Sequence, residues 1–274
     1  MVFISKNKLR RRLKRVLKFL LILFVMIGAS LYFLQEKILF LPTTLAQDYQ
    51  YEFRYPFEEL FFKTKENVSI NALHFKVENP KGVILYFHGN AGDLSRWGII
   101  GEHFVSLNYD VLIMDYRTYG KSRGKLSEQG FYEDADFCYD YLLKSYSEED
   151  IVLYGRSIGT GIAVYLASKH QPKKLILETP YYSILDLAKQ RFPIFPVKTL
   201  LKYEFPSNEF ITTVNCPITI FHGTDDSVIP YRSAQKLKSV APQSKISFIT
   251  IEGGDHNNLI SFDKYKEGIV SILK

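Results

Sequence analysis

The stretch Ile151-Val152-Leu153-Tyr154-Gly155-Arg156-Ser157-Ile158-Gly159-Thr160-Gly161 decides how this chain is read. A short apolar run ends at Gly155. Ser157 follows, with Gly155 and Gly159 two positions to either side. A helical pattern then opens, with Ile158, Ile162, Ala163, Leu166 and Ala167 on one face. Strand, sharp turn and helix with a serine at the apex is the context a G-x-S-x-G nucleophile elbow requires. The serine backbone is strained there, and the tight strand–helix contact leaves no room for a Cβ at the flanking glycines. A chain with 16 glycines can show the pattern by chance, but the strand before it and the helix after it argue against chance.

Outward from the elbow, apolar runs alternate with helical stretches. Residues 59–64 and 68–77 read as paired strands. Residues 83–87, 111–115, 151–154, 175–178, 218–221 and 246–251 read as further strands. Helical patterns fall at 94–107, 127–146, 231–240 and 259–273. That rhythm predicts βαβ units and a mostly parallel central sheet with helices on both faces, an α/β fold. Residues 181–216 break it with Pro193, Pro196, Pro206 and many aromatics. The segment is too long for an ordinary αβ loop and suits a short lid over a site, or else an irregular surface helix.

The net charge of +6 is uneven. Residues 1–18 hold eight Lys and Arg and no acid, leaving the remainder at −2. The folded part is therefore not basic, which argues against a nucleic-acid partner. Residues 19–34 carry no charge and just span a bilayer core. The expected organisation is a basic cytoplasmic segment (1–15), a transmembrane signal anchor (16–34), a tether (35–58) and an α/β domain (59–274) with its lid at about 181–216. The positive-inside rule then puts the catalytic domain outside the cytoplasm. A signal peptide cut near Gly28-Ala29-Ser30 is the rival, though the apolar character runs on to Leu41, long for a signal peptide. The tether, with Tyr49, Tyr51, Phe53 and Tyr55, is expected to pack on the domain, since flexible linkers are aromatic-poor. Cys138 and Cys216 lie far apart and imply neither a disulfide framework nor zinc. Asn67-Val68-Ser69 fits a glycosylation acceptor weakly.

A serine nucleophile needs a base, and the base an orienting acid. Six histidines are available. His74, His103 and His170 sit inside a strand or helices and suit structural roles. His88 and His222 open glycine turns and are expected to fix those loops. His256 follows the last strand, where such sheets place their ligands, and fits the chain order serine, acid, histidine. Asp225 and Asp226 both lie in the loop after the preceding strand, and Asp186 is a weaker third candidate for the acid. The backbone N–H of Ile158 and that of Asn90, or else Ala91, are the expected oxyanion donors, because Gly89 and Gly92 let that loop approach a substrate. No metal-binding or nucleotide-binding pattern survives inspection, so no cofactor is expected.

These motifs together resemble the membrane-anchored α/β-hydrolases of the abhydrolase-domain serine hydrolase family, which is similar to the serine aminopeptidase-like family. The resemblance covers about residues 35–274. It rests on Leu39-Phe40-Leu41-Pro42, Phe87-His88-Gly89-Asn90-Ala91-Gly92, Asp115-Tyr116-Arg117-Thr118-Tyr119-Gly120, Gly155-Arg156-Ser157-Ile158-Gly159, His222-Gly223-Thr224-Asp225-Asp226 and His256-Asn257-Asn258. It implies the α/β-hydrolase fold and makes Asp226 the acid. Thr118 stands where the family often has glycine. The function it implies is a membrane-tethered serine hydrolase of esters or thioesters, with small-molecule or lipid acyl substrates. A serine peptidase and a catalytically idle hydrolase-fold scaffold are the alternatives.

Overall fold

The computed structural model describes residues 6–274. Residues 1–5, the start of the expected basic segment, lie outside the described residues. The basic block and the apolar run form one helix, α1 (Lys6–Phe33). Nothing in that stretch breaks a helix, since it holds no proline and a single glycine, Gly28. The helix is long and apolar enough to cross a membrane, and the domain buries none of its apolar window. A short helix α2 (Gln35–Leu39) follows. The chain then lies along the domain. Leu41 and Pro42 pair in parallel with Ala91 and Gly92, the Leu45 N–H donates to Gly120 O (2.9 Å), and the Tyr51 hydroxyl donates to Asn71 Oδ1 (2.9 Å). The Phe53 ring packs 5.3 Å from Phe75, so aromatic contact holds the tether down.

Eight strands build the central sheet. They are β1 (Phe57–Lys65), β2 (Val68–Phe75), β3 (Val83–Phe87), β4 (Asp110–Met114), β5 (Ile151–Arg156), β6 (Lys174–Glu178), β7 (Ile218–Gly223) and β8 (Ile246–Ile251). Their order across the sheet is β1-β2-β4-β3-β5-β6-β7-β8. β1–β2 and β2–β4 are antiparallel, and every other pair is parallel. Asn67 turns the β1–β2 hairpin with φ +63°, a conformation asparagine tolerates. The central strands β3, β4 and β5 are buried at every position, as near-continuous apolar runs in a parallel sheet should be, with Asp110 and Arg156 at their ends.

The helices after α2 are α3 (Leu94–Val105), α4 (Glu128–Leu142), α5 (Gly159–Lys169), α6 (Ile184–Arg191), α7 (Val197–Leu200), α8 (Ser207–Phe210), α9 (Tyr231–Val240) and α10 (Asp263–Ile272). Side chains alternate along each strand between two cores. Ile84, Tyr86 and Tyr154 meet Phe104 of α3 and Ile269 of α10 on one face. Leu85, Leu112 and Leu153 meet Ala135 of α4, Ile162 of α5 and Ala234 of α9 on the other. Capping fixes where helices begin, with Asp93 accepting from Ser95 N (2.8 Å) and Ser127 from Gly130 N (3.0 Å).

Two expectations need adjusting. The last helical stretch is broken, because Phe262 takes an extended backbone that separates a short turn (Leu259–Ser261) from α10. Residues 181–216 are neither one irregular helix nor an open loop. They fold as α6, α7, α8 and a further short turn (Ile211–Thr213), and Glu128 of α4 accepts from the Phe205 N–H (3.1 Å) to tie them to the sheet layer.

Candidate active site

β5 runs straight into Ser157, whose φ is +52°, left-handed backbone that strains a residue with a side chain. Neighbours hold the strain. Ser157 N donates to Glu178 O on β6 (2.9 Å), while Thr160 donates to Ser157 O from its N–H (3.0 Å) and its hydroxyl (2.6 Å). Both glycines are sterically required. A Cβ on Gly155 would sit 2.6 Å from Gly159 O, and one on Gly159 would sit 2.2 Å from Phe87 O.

The fold brings Ser157, His256 and Asp226 together. Ser157 Oγ lies 2.9 Å from His256 Nε2, and His256 Nδ1 lies 2.8 Å from Asp226 Oδ2. The other carboxylate oxygen of Asp226 accepts from the N–H groups of Val228 (2.9 Å) and Ile229 (2.8 Å). Each of the three is at least nine-tenths buried, at 8%, 7% and 7% exposure. A carboxylate on Nδ1 keeps the proton there and leaves the Nε2 lone pair facing the hydroxyl. Asp225 is exposed and accepts from the Thr224 hydroxyl (2.9 Å), while Asp186 pairs with Lys236 (2.5 Å) at the start of α6. Neither reaches His256.

His222 lies behind the aspartate. Burial holds its pKa down, and Nδ1 meets Gly223 O at 3.0 Å, which puts its proton on that nitrogen. Its Nε2 then carries a lone pair, 3.7 Å from Asp226 Oδ2, with no proton between them. Asp255 joins the two loops. Its carboxylate accepts from the N–H groups of His256 (2.7 Å) and Ser227 (3.2 Å), and these bonds hold its pKa down. Beneath the serine, Arg156 pairs with buried Glu178 (3.2 Å), which also accepts from the hydroxyls of Tyr154 (2.5 Å) and Tyr265 (2.9 Å). The sequence reading missed Asp255 and Glu178. An acid immediately before the histidine was the available signal for the first; nothing local marks the second.

The loop 88–92 lies against the serine. Burial pushes the Asp115 carboxyl up, and His88 Nε2 sits 3.3 Å from it. The Tyr116 hydroxyl donates to His88 O (2.7 Å). The carbonyl of Asn90 accepts from the Tyr119 hydroxyl (2.7 Å) and its side-chain oxygen from Leu41 N (3.0 Å). A Cβ on Gly89 would meet the Trp97 ring at 3.1 Å and Ser157 Cβ at 3.8 Å. Among the described residues no acceptor meets the N–H of Asn90 or of Ile158. Leu41 and Tyr119, which fix Asn90, entered the sequence analysis only as members of the motifs Leu39–Pro42 and Asp115–Gly120, with no role assigned to either. Of the remaining histidines, His74 is buried against Tyr141, and that burial lowers its pKa to about 4. His103 is held neutral by burial, and His170 stacks on Tyr139 (4.2 Å).

A cavity of about 430 Å³ opens on Asn90, Ser157 and Ile158. Ile184, Leu187, Phe192 and Val197 supply one wall; Leu31 at the end of α1 and Ile38 of α2 supply another. Two cations, Arg191 and Arg232, line it, and no carboxylate does so among the described residues. Phe195 lies elsewhere, stacked on Phe24 of α1 with ring centroids 4.7 Å apart. Gln35, 5% exposed, clamps α2 to the 197–203 stretch, donating to Leu200 O (3.0 Å) and accepting from Lys202 N (2.7 Å).

Comparison with known proteins agrees with this fold. The family model described as Serine aminopeptidase, S33 matches residues 78–207. The α/β hydrolase domain-containing protein 17C of Mus musculus is 32% identical, over 79% of this chain and 67% of that protein. The lysophosphatidylserine lipase ABHD12 of Danio rerio is 33% identical, over 62% of this chain and only 50% of its own length. The Pyrococcus furiosus esterase Pf2001 superposes with a TM-score of 0.64 at 17% identity, covering 86% of this chain and 95% of that one, a likeness of fold. With the eight-stranded sheet and the strained serine at its centre, these matches mean that the chain belongs to the α/β-hydrolase family, among the abhydrolase-domain hydrolases.

Proposed function

We propose that the protein is a membrane-tethered serine hydrolase that cleaves carboxylic esters or thioesters of apolar acyl groups through an acyl-enzyme. The observation that carries this reading is the hydrogen-bonded chain Ser157–His256–Asp226 at the mouth of an apolar cavity. Ser157 Oγ attacks the carbonyl carbon as His256 Nε2 takes its proton. The N–H groups of Ile158 and Asn90 stabilise the oxyanion. The intermediate collapses, the C–O or C–S bond breaks, and the leaving alcohol or thiol takes the proton from His256. Water then attacks the acyl-enzyme by the same route in reverse. Asp226 stabilises the imidazolium and fixes its tautomer. No step calls for a cofactor.

The relatives support ester chemistry, one being a lysophosphatidylserine lipase and a structural neighbour an esterase. The apolar α1 supports tethering, and the basic residues before it favour a cytoplasmic N-terminus with the domain on the far side. The family model's description favours a second reading, an aminopeptidase. Against it, a free amino terminus in this cavity would meet Arg191 and Arg232 and, among the described residues, no carboxylate. The full chain in detergent, given p-nitrophenyl esters and aminoacyl p-nitroanilides, decides the matter. Ester turnover alone is the expected result, anilide turnover alone makes it a peptidase, and neither makes it a scaffold.

A further inference from the structure

The relation between α1 and the segment over the cavity carries more than tethering. Phe24, on which Phe195 stacks, lies nine residues before Phe33 at the end of α1. At 1.5 Å per residue that is about 13 Å back along the helix, well inside the stretch that would lie in the bilayer. Residues 192–196 read Phe-Pro-Ile-Phe-Pro, without a charge, and Ile194 at their tip is 73% exposed. Lys189, Arg191, Lys198 and Lys202 flank this tip, and no acid occurs from residue 187 to 203.

Backbone polarity is the usual obstacle to placing a loop in lipid, because every unpaired N–H there costs free energy. Here the obstacle is small. Pro193 and Pro196 have no N–H to satisfy. The Phe192 N–H donates to Ala188 O (2.8 Å) and the Phe195 N–H to Phe192 O (3.1 Å), and the carbonyls of Phe195 and Pro196 accept from Val197 and Thr199, which leaves the Ile194 N–H and the Pro193 and Ile194 carbonyls to find partners.

We infer that this proline-rich tip enters the bilayer beside α1, with the flanking lysines and arginine at the level of the lipid headgroups. The cavity, walled by Leu31 and Ile38 on one side and Leu187 and Val197 on the other, then opens toward the acyl chains. Resting on the hydrolase reading above, this makes the substrate a membrane-resident ester or thioester whose chain slides in from the lipid. It reaches Ser157 without crossing water.

Two measurements on the full chain in phosphatidylcholine vesicles test this. In the first, Ile194→Cys is labelled with a nitrobenzoxadiazole maleimide; Cys138 and Cys216 are buried and stay unlabelled. Quenching by a nitroxide on the lipid acyl chain, with shielding from iodide, is expected; iodide quenching without nitroxide quenching overturns the inference. In the second, Ile194→Asp should slow hydrolysis of palmitoyl-lysophosphatidylglycerol in the same vesicles by roughly tenfold, the loss of one buried apolar side chain. Turnover of water-soluble p-nitrophenyl acetate should stay within about twofold, since Ile194 does not line the cavity. An equal loss on both substrates overturns entry from the bilayer. Should the unaltered protein hydrolyse neither ester, the hydrolase reading fails by itself and the quenching measurement still decides insertion.

Discussion

The two ends of the cavity are held by different physics. At the elbow, Ser157, His256 and Asp226 are hydrogen-bonded in a chain and the atoms are close-packed; a single added carbon at Gly155 or Gly159 would overlap backbone. At the neck, where α1 and α2 meet residues 192–203, the contacts are scattered: the Phe24–Phe195 ring stack, the Gln35 clamp, the Tyr203 hydroxyl donating to Glu36 (2.8 Å) and Lys202 over the Tyr32 ring (4.6 Å), with apolar side chains such as Phe33 and Ile194 more than 70% exposed. The elbow is rigid because the chemistry needs atoms fixed to fractions of an ångström. On the insertion proposed above, the neck packs less tightly because part of its surroundings is lipid. A rigid end and a yielding end suit a site that performs one reaction on chains admitted from a membrane.

The largest effects should come from the elbow. Ser157→Ala and His256→Ala should each lower kcat by roughly 10⁴–10⁶, and the double variant should add little, because the two act as one unit. Additive losses would mean they do not share a proton. Next in size, Asp226→Asn should cost roughly 10³–10⁴ in kcat by favouring the wrong tautomer. Asp225→Asn should stay within about tenfold, since its side chain meets only Thr224. A reversed order would move the acid to Asp225 and leave the rest of the mechanism intact.

A smaller change separates the regions themselves. Gln35→Ala leaves Leu200 O and Lys202 N without their partner at a cost of about 1–3 kcal/mol, confined to the neck. Amide exchange over residues 197–203 should speed up by roughly tenfold or more, with β5 unchanged. Equal acceleration in both would erase the distinction. The smallest effect concerns strain. Ser157 and Thr118 both hold positive φ, +52° and +77°. The first places a reactive hydroxyl, whereas Thr118 only closes a turn. Thr118→Gly should therefore raise stability by up to about 1 kcal/mol, read as a higher Tm, with kcat unchanged.

The same contrast explains what the sequence made legible. The elbow was readable because its constraint is local: two glycines, one serine, a strand before and a helix after. His256 was readable from chain order and its place after the last strand. The choice between Asp225 and Asp226 was not, without a family resemblance, because adjacent residues on a turn differ only in which way the turn points them. The supports of the Asn90 loop, Leu41 and Tyr119, lie 49 and 29 residues away, so only the folded chain joins them. Phe195, one of the aromatics in the expected lid, does not line the cavity but stacks on Phe24. A span read as an isolated anchor gave no reason to expect contact with the segment over the cavity. Thr118, which departs from the family's usual glycine, became intelligible once its φ was known.

The most direct test of the central claim is covalent. The full chain in membranes, treated with a fluorophosphonate and digested for mass spectrometry, should carry one adduct, on Ser157, formed far more slowly in His256→Ala and not at all in Ser157→Ala. An unaltered protein that takes up no label, or a Ser157→Ala variant that labels as fast as the parent, would contradict the account.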